Sequence, residues 1–452
     1  MNKSGDTTAV KTGERPTRFR YVIAGLVLLI TVVNYADRGA LSFASQQIIK
    51  EYGLNPASWG AVLGYFGYGF MLGGVGGGFL SDRWGPKRVQ IVAGIAWSVF
   101  EAGTAFAGEI GLTVFGGSAL AGFAVIRILF GLAEGPAFSV LSKSISAWAA
   151  PRERAFMIAL ALASAPLGGA LAAPVSVGLL VLTGSWRMMF LILGAVSLAA
   201  VALFGLLFTN RPADNRFVNA AELAGLPETG AGVAAQSRTA ISEKLFTGKL
   251  LLNAIGFFAY LYINTLVLTW TPKYLQDQFH LSLSSMSYLG MIPWIGACVT
   301  MVLGGFISDR ILAKTGNMTL ARNGFAAGSL LLVGLLFVSV IAARSVAIAL
   351  LLIMAANALN ALINSIFWAI ILDSSSPALV GRRSGISLFI ASSSTIIAPT
   401  VTGMLVQSFG YDGMFLAGGA VSLVGALAMI SIRLGPALLQ GGRAPETGAI
   451  GS

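Results

Sequence analysis

The sequence predicts an all-α membrane protein of twelve transmembrane helices arranged as two six-helix halves, and three observations carry that prediction. Hydrophobic residues make up 56% of the 452 and charged residues only 10%, against roughly 25% charged in a soluble domain. Apolar runs of roughly 20 residues, the length that crosses about 30 Å of hydrocarbon, recur between polar turns along the whole chain. A short sequence also repeats at the same place in each half, as Gly78-Phe79-Leu80-Ser81-Asp82-Arg83 and as Gly305-Phe306-Ile307-Ser308-Asp309-Arg310.

Taken in order, residues 1–20 are a polar, basic segment. Six apolar runs follow at roughly 21–43, 58–80, 89–107, 116–146, 155–183 and 186–208, so that 21–208 forms an N-terminal bundle. The second run carries Gly69, Gly73 and Gly77, a strip at helical spacing that lets a neighbouring backbone come close. Residues 209–248 are polar and charged and read as a linker. Six further runs, at roughly 249–275, 282–307, 321–343, 346–372, 384–408 and 412–432, make a C-terminal bundle over 249–432. A glycine-rich tail, 433–452, ends the chain. Parallel halves of this kind put a substrate site at their interface near mid-membrane.

The net charge of +11 raises the question of a nucleic-acid partner, and the placement of the basic residues answers it. With a cytoplasmic N-terminus, 23 of the 29 fall on the cytoplasmic side, among them Lys3, Lys11, Arg83, Lys87, Arg88, Lys143, Arg152, Arg238, Arg322 and Arg443. Lys50, Arg187, Lys273 and Arg344 fall outside, and Arg38 and Arg127 lie within spans. That bias is the positive-inside pattern, which puts both termini in the cytoplasm and leaves no basic patch for nucleic acid. The one cysteine, Cys298, excludes an internal disulfide, and the one histidine, His280, sits in a short external loop. Neither supports a metal centre or a nucleophile, and no enzyme activity is expected.

Chemistry is expected where charge interrupts the apolar runs. Asp37 and Arg38 adjoin in the first run, and Arg127 and Glu134 stand seven apart in the fourth, two helical turns or about 10 Å along one face. Each such group costs on the order of 2.5 to 3.5 kcal/mol in hydrocarbon, so four of them mark a pathway or a site. Their formal charges sum to zero. Protonating Asp37 or Glu134 leaves a guanidinium unpaired, which the carboxylate of an incoming anion satisfies through a bidentate bond. Proton and anion then favour each other's binding, the thermodynamic content of symport. Asn357, Asn360 and Asn364 share a face of the tenth run, with Ser365 and Trp368 beyond, and can serve either neutral recognition or helix packing.

The segment Gly78-Phe-Leu-Ser-Asp82-Arg83-Trp84-Gly85-Pro86-Lys87-Arg88 resembles the signature loop of the major facilitator superfamily. The resemblance implies a cytoplasmic charge network that holds one transport state closed, with Asp82, Arg83 and Arg88 in it and Asp309 and Arg310 as the repeat. Asn34-Tyr35-Ala-Asp37-Arg38 and Arg127-Ile-Leu-Phe-Gly-Leu-Ala-Glu134-Gly-Pro136 resemble the anion:cation symporter branch, which includes bacterial sugar-acid carriers. What this branch implies is a proton-coupled importer of a small organic anion, such as a sugar acid or an aromatic acid, in a bacterial inner membrane. Asp37 and Glu134 are then the coupling acids, Arg127 partners one of them, and Arg38, with Tyr35, meets the substrate. Asn360, Asn364, Ser365 and Trp368 complete the site from the other half. The expected partners are the anion and the lipid bilayer, with protons as coupling ion, no cofactor and a functional monomer.

The sequence departs from the sugar-acid pattern at Phe70, Phe257 and Leu388, where polar residues are usual, so fewer groups remain to match hydroxyls. Ser164-Ala165-Pro166-Leu167-Gly168-Gly169 partly resembles a motif of proton-coupled exporters, so efflux antiport is the alternative. A transporter-like ligand sensor is a third reading, for which the chain offers no added signalling domain.

Overall fold

The computed structural model describes residues 15–150, 153–226, 244–376 and 379–433. Expectations for the first 14 residues, for linker residues 227–243 and for the tail from 434 onward lie outside that set, as do those for Lys3, Lys11, Arg152, Arg238 and Arg443.

Among the described residues the chain is helical, without a strand. The N-terminal half comprises α1 (Phe19–Phe43), α2 (Ser45–Tyr52), α3 (Pro56–Trp84), α4 (Pro86–Gly103), α5 (Ala107–Val114), α6 (Ala119–Glu134), α7 (Ala137–Trp148), α8 (Arg154–Thr183) and α9 (Trp186–Leu207). The short α10 (Ala220–Leu223) follows. The C-terminal half comprises α11 (Gly248–Thr269), α12 (Thr271–Phe279), α13 (Leu283–Leu289), α14 (Ile292–Thr315), α15 (Phe325–Ser339), α16 (Val346–Leu362), α17 (Asn364–Asp373), α18 (Val380–Ser392) and α19 (Ser394–Ile430). Nine helical stretches among the described residues are long and apolar enough to cross a membrane. One of them, Val380–Ile430, is too long for a single crossing, and Gly410 breaks it with φ +66°.

Local chemistry sets the boundaries. Asn55 caps α3 by accepting the Ser58 N–H, with Pro56 in the first turn, and Ser118, Ser185, Thr247 and Ser345 cap α6, α9, α11 and α16 likewise. Gly53, Gly184 and Gly316 end helices in the left-handed conformation. The sharp turn between α3 and α4 is held from outside, because Asn210 accepts the Lys87 N–H at 2.9 Å. The first turn of α1 is completed by a residue far along the chain: Glu222 accepts the N–H groups of Phe19 and Arg20 at 2.9 and 3.0 Å. A carboxylate there satisfies donors that no helix can satisfy for itself.

Within the N-terminal half, α1 packs on α8, α3 on α6, and α4 on α9; in the C-terminal half α11 and α15 pack on α19, and α14 on α16. The glycine strip serves the α3–α6 contact. A side chain at Gly69 or Gly73 would overlap the backbone of Ile128 and Leu132, and one at Gly77 would meet Pro136.

Between the halves, the close approaches gather toward the end of the molecule that carries Asn55. Gly60 of α3 and Gly403 of α19 are nearly in backbone contact, since a Cβ built on either would lie 2.9 Å from the other's Cα. Gly64 faces Thr400, Gly67 faces Ile396, and across the seam Gly169 of α8 lies flat against the indole of Trp294 on α14. A bond from the Ala57 N–H to the side-chain oxygen of Gln407 closes the same end. At the opposite end, Asp82 pairs with Lys143 and Asp309 with Arg322, each inside its own half.

Candidate functional site

Five ionisable side chains converge inside the N-terminal half. Two come from α1. Asp37, 1% exposed, accepts hydrogen bonds at one oxygen from the Trp97 indole of α4 (2.8 Å) and the Ser197 hydroxyl of α9 (2.7 Å). Arg38, the next residue, is turned about 100° around the helix from it. Its Nε donates to Glu134 of α6 at 2.6 Å, and its Nη2 donates to Asn34 one turn back at 2.8 Å. Three aromatic rings surround the guanidinium: Phe70 at 4.3 Å from the centroid, Tyr35 at 4.8 Å and Phe66 at 5.1 Å. Phe70, one of the departures noted above, thus offers a π face to the cation where a phenol is usual.

Arg127 occupies a different setting. It is 3% exposed, lies over Phe66 and Phe130 at 5.2 and 5.1 Å, and among the described residues its Nε and Nη1 have no hydrogen-bond partner. Arg127, the expected partner of a coupling acid, acts on Glu134 through charge alone, while the guanidinium hydrogen-bonded to Glu134 is that of Arg38. Spacing along α6 puts Arg127 and Glu134 on one face, but two turns separate them, whereas α1 brings Arg38 directly across.

The fifth group is Glu101 of α4, which the sequence reading passed over. It is fully buried, neither carboxylate oxygen has a hydrogen-bond partner among the described residues, and its charged neighbours are Asp37, Arg127 and Glu134. The signal was present, a lone acid one turn beyond Trp97 in an apolar run. Of the five, Arg38 is the most accessible, with 12% of its side chain exposed against none for Glu134.

Among the described residues, the C-terminal half contributes no acidic or basic side chain to this cluster. Tyr260 of α11 faces Tyr35 of α1 across the seam. The asparagine face of α16 divides. Asn360 is fully buried and donates to the Tyr260 carbonyl at 3.0 Å, and Asn357 donates to the Pro293 carbonyl at 2.9 Å. These are helix-to-helix bonds, the packing alternative for this face, and the Asn360 Oδ1 is left without a partner among the described residues. Beyond the break at Ile363, Asn364 and Ser365 are half-buried at the start of α17, and the Ser365 hydroxyl is without a partner among the described residues. Trp368 stands edge-on to Phe257 at 5.4 Å, and Phe257 stacks on Phe367 at 5.0 Å. That departure from the sugar-acid pattern therefore builds an aromatic wall.

The expected gating residues sit at the end opposite Asn55. Asp82 bonds Lys143 of α7 rather than Arg83 or Arg88, and Asp309 bonds Arg322 rather than Arg310. Arg322 reaches further, to Asp373 at the end of α17. On the same face Arg20 bridges Glu153 and Glu222. Hydrogen bonds from Arg20 and Tyr21 hold the Glu153 carboxyl down at about 2, below the ordinary carboxylate range. At the Asn55 end, Arg187 bonds Glu51 and Glu109 and ties α2, α5 and α9 together.

Comparison with known proteins agrees along most of the chain. The model of the Major Facilitator Superfamily matches residues 27–399. The hexuronate transporter of Bacillus subtilis (strain 168) is 32% identical over 412 residues, 89% of this chain and 92% of that protein. The D-galactonate transporter of Escherichia coli O6:H1 is 26% identical over 431 residues, 92% of this chain and 96% of that protein. Among solved structures, a D-xylose-proton symporter superposes with a TM-score of 0.68 at 18% identity, covering 91% of this chain and 97% of that one.

Proposed function

The chain belongs to the Major Facilitator Superfamily and is a multi-pass membrane carrier rather than an enzyme, and from that premise we propose that it imports a small organic anion, a carboxylate of the sugar-acid class, by proton symport. On this reading the chain crosses the membrane twelve times and keeps both termini in the cytoplasm. The Asn55 end then faces outward, and the seal at Gly60 and Gly403 makes the conformation inward-facing. The carrier works as a monomer in a bacterial cell membrane.

The Arg38–Glu134 bond carries the proposal. Glu134 is fully buried and has this guanidinium as its donor, while Arg38 is the group of the cluster that reaches solvent. A proton arriving on Glu134 neutralises the carboxylate and releases the fork of Arg38, whose planar donors match a second carboxylate. The substrate's carboxylate takes the place that Glu134 gives up. The exchange leaves the buried charge unchanged, so proton and anion load together and neither loads well alone. Asp37, held by Trp97 and Ser197 on a neighbouring face of α1, is the second acid able to take a proton. The names of the relatives, hexuronate and D-galactonate transporters, support sugar acids as the substrate class. Asn364, Ser365 and Trp368 would meet the rest of the molecule.

Purified protein in liposomes tests the reading. An inward proton gradient should drive D-galactonate or a hexuronate above its equilibrium level. Asp37→Asn should lose that accumulation while retaining counterflow exchange. Accumulation driven only by an outward gradient would make the protein an exporter and overturn the proposal.

A further inference from the structure

We propose that Glu101 is the acid of this cluster that keeps its proton through the transport cycle, a neutral positioning residue beside Arg127 that leaves Asp37 and Glu134 as the groups exchanging protons. The inference rests on the transport reading above and adds a role for a residue outside the recognised motifs.

Glu101 follows Trp97 by one turn on α4, so both side chains lie on the face turned toward α1 and α6. The charged groups around it are Asp37 on α1 and Arg127 and Glu134 on α6. Of the other helices packed on α4, α9 brings the hydroxyl of Ser197 to Asp37, and Lys143 of α7 is engaged by Asp82 at the far end.

Three carboxyls and two guanidiniums leave one negative charge in excess when all are ionised. An unpaired charge sealed from water is far more costly than a neutral polar group, so the cluster holds one proton when empty. Donors decide where it resides. Glu134 receives a charged donor from Arg38, and Asp37 receives two neutral donors, whereas both oxygens of Glu101 are buried with none among the described residues. Hydrogen bonds favour the ionised form of a carboxyl, and their lack favours the protonated form. Protonated, Glu101 presents a carbonyl that Arg127 can use without losing its charge. The Nε and Nη1 of Arg127, also buried without a partner, are the donors available for it.

Infrared spectroscopy on the purified, anion-free protein, read at each pH as wild type minus Glu101→Gln, provides the test. Wild type should show the C=O stretch of a protonated, buried carboxyl that persists as the medium is taken from mildly acidic to mildly alkaline. Glu101→Gln should lack that band, while Asp37→Asn and Glu134→Gln should keep it. In liposomes, Glu101→Leu should slow uptake about tenfold, the scale of one hydrogen bond to a charged group. Glu101→Gln should restore most of it at the wild-type proton-to-anion ratio. A band that survives in Glu101→Gln overturns the assignment, and so does a ratio lowered by one proton, which would make Glu101 an exchanging acid. Full uptake by Glu101→Leu would remove the positioning role. If Glu101→Gln does not fold, Glu101→Asp should shift the band, and an unshifted band is equally fatal. Should wild type accumulate no acid under either gradient, the transport reading falls while the infrared result still stands for or against Glu101.

Discussion

Glu134→Gln separates proton from anion most directly. In wild type an incoming carboxylate has to displace Glu134 from Arg38, a bond of 2.6 Å whose acceptor is fully buried. A hydrogen bond to a charged group is worth about 1.5 to 3 kcal/mol, which converts to about ten- to a hundredfold in affinity. Glutamine keeps the shape and removes the competing charge. The sign follows from linkage: wild-type affinity falls as pH rises, because each alkaline step withdraws the proton that binding requires, about tenfold per unit for one proton. The variant lacks that proton and loses one unit of slope. It should therefore bind D-galactonate about ten- to a hundredfold more tightly than wild type in alkaline buffer and converge with it in acid. Isothermal titration in detergent across that range reads both quantities. Accumulation in liposomes should be lost at the same time, since the tight complex no longer senses the gradient. An unchanged pH slope, or weaker binding at alkaline pH, would refute Glu134 as the competitor for Arg38.

Three further outcomes follow from other parts of the fold. Gly403→Val would press against the Pro56 carbonyl and the Gly60 backbone, so the Asn55 end should open, and a cysteine placed at Thr400 in a Cys298→Ser background should become reactive to an impermeant reagent added outside. Asn360→Ala removes a buried bond to the Tyr260 carbonyl and should cost about 1 to 3 kcal/mol in thermal unfolding while preserving the ranking of substrates. Asn364→Ala should instead change the ranking among acids of different hydroxyl content. Glu153→Gln should destabilise the protein by about 1 kcal/mol at neutral pH, the upper range for a surface pair. Because the folded carboxyl is depressed to about 2, that contribution is complete above the unfolded value of roughly 4.3 and fades as pH falls toward 2, so melting curves of wild type and variant should converge in acid.

The helical halves were legible because apolar run length and repeated motifs are local properties of the chain. Gly69, Gly73 and Gly77 declared a close contact before its partner, α6, was known. Pairing inside the site was less legible. Spacing relates residues on one helix, as with Arg127 and Glu134, but the bond that forms joins α1 to α6 and depends on how those helices rotate against each other. Glu101 was missed for a related reason: four charges already balanced to zero, and the fifth gains its meaning only when α4 is packed beside them. The amides of α16 illustrate the same limit, since their face could be read from spacing while the carbonyls they bond lie on α11 and in the first turn of α14.

The carboxylate of Glu222 at the start of α1 bears on how the protein is made. The first turn of that helix is completed by an acceptor 203 residues downstream. At synthesis rates of about 5 to 20 residues per second, the ribosome supplies it roughly 10 to 40 s after Phe19 has been joined to the chain. Until then the two N–H groups of Phe19 and Arg20 are left to water, and Arg20 lacks one of its two acidic partners. Once Glu222 emerges, the N-terminal bundle can fasten its own first helix while most of α11 to α19 is still to be translated. The first half therefore carries within its own sequence the means to finish assembling while most of the second half is still unmade.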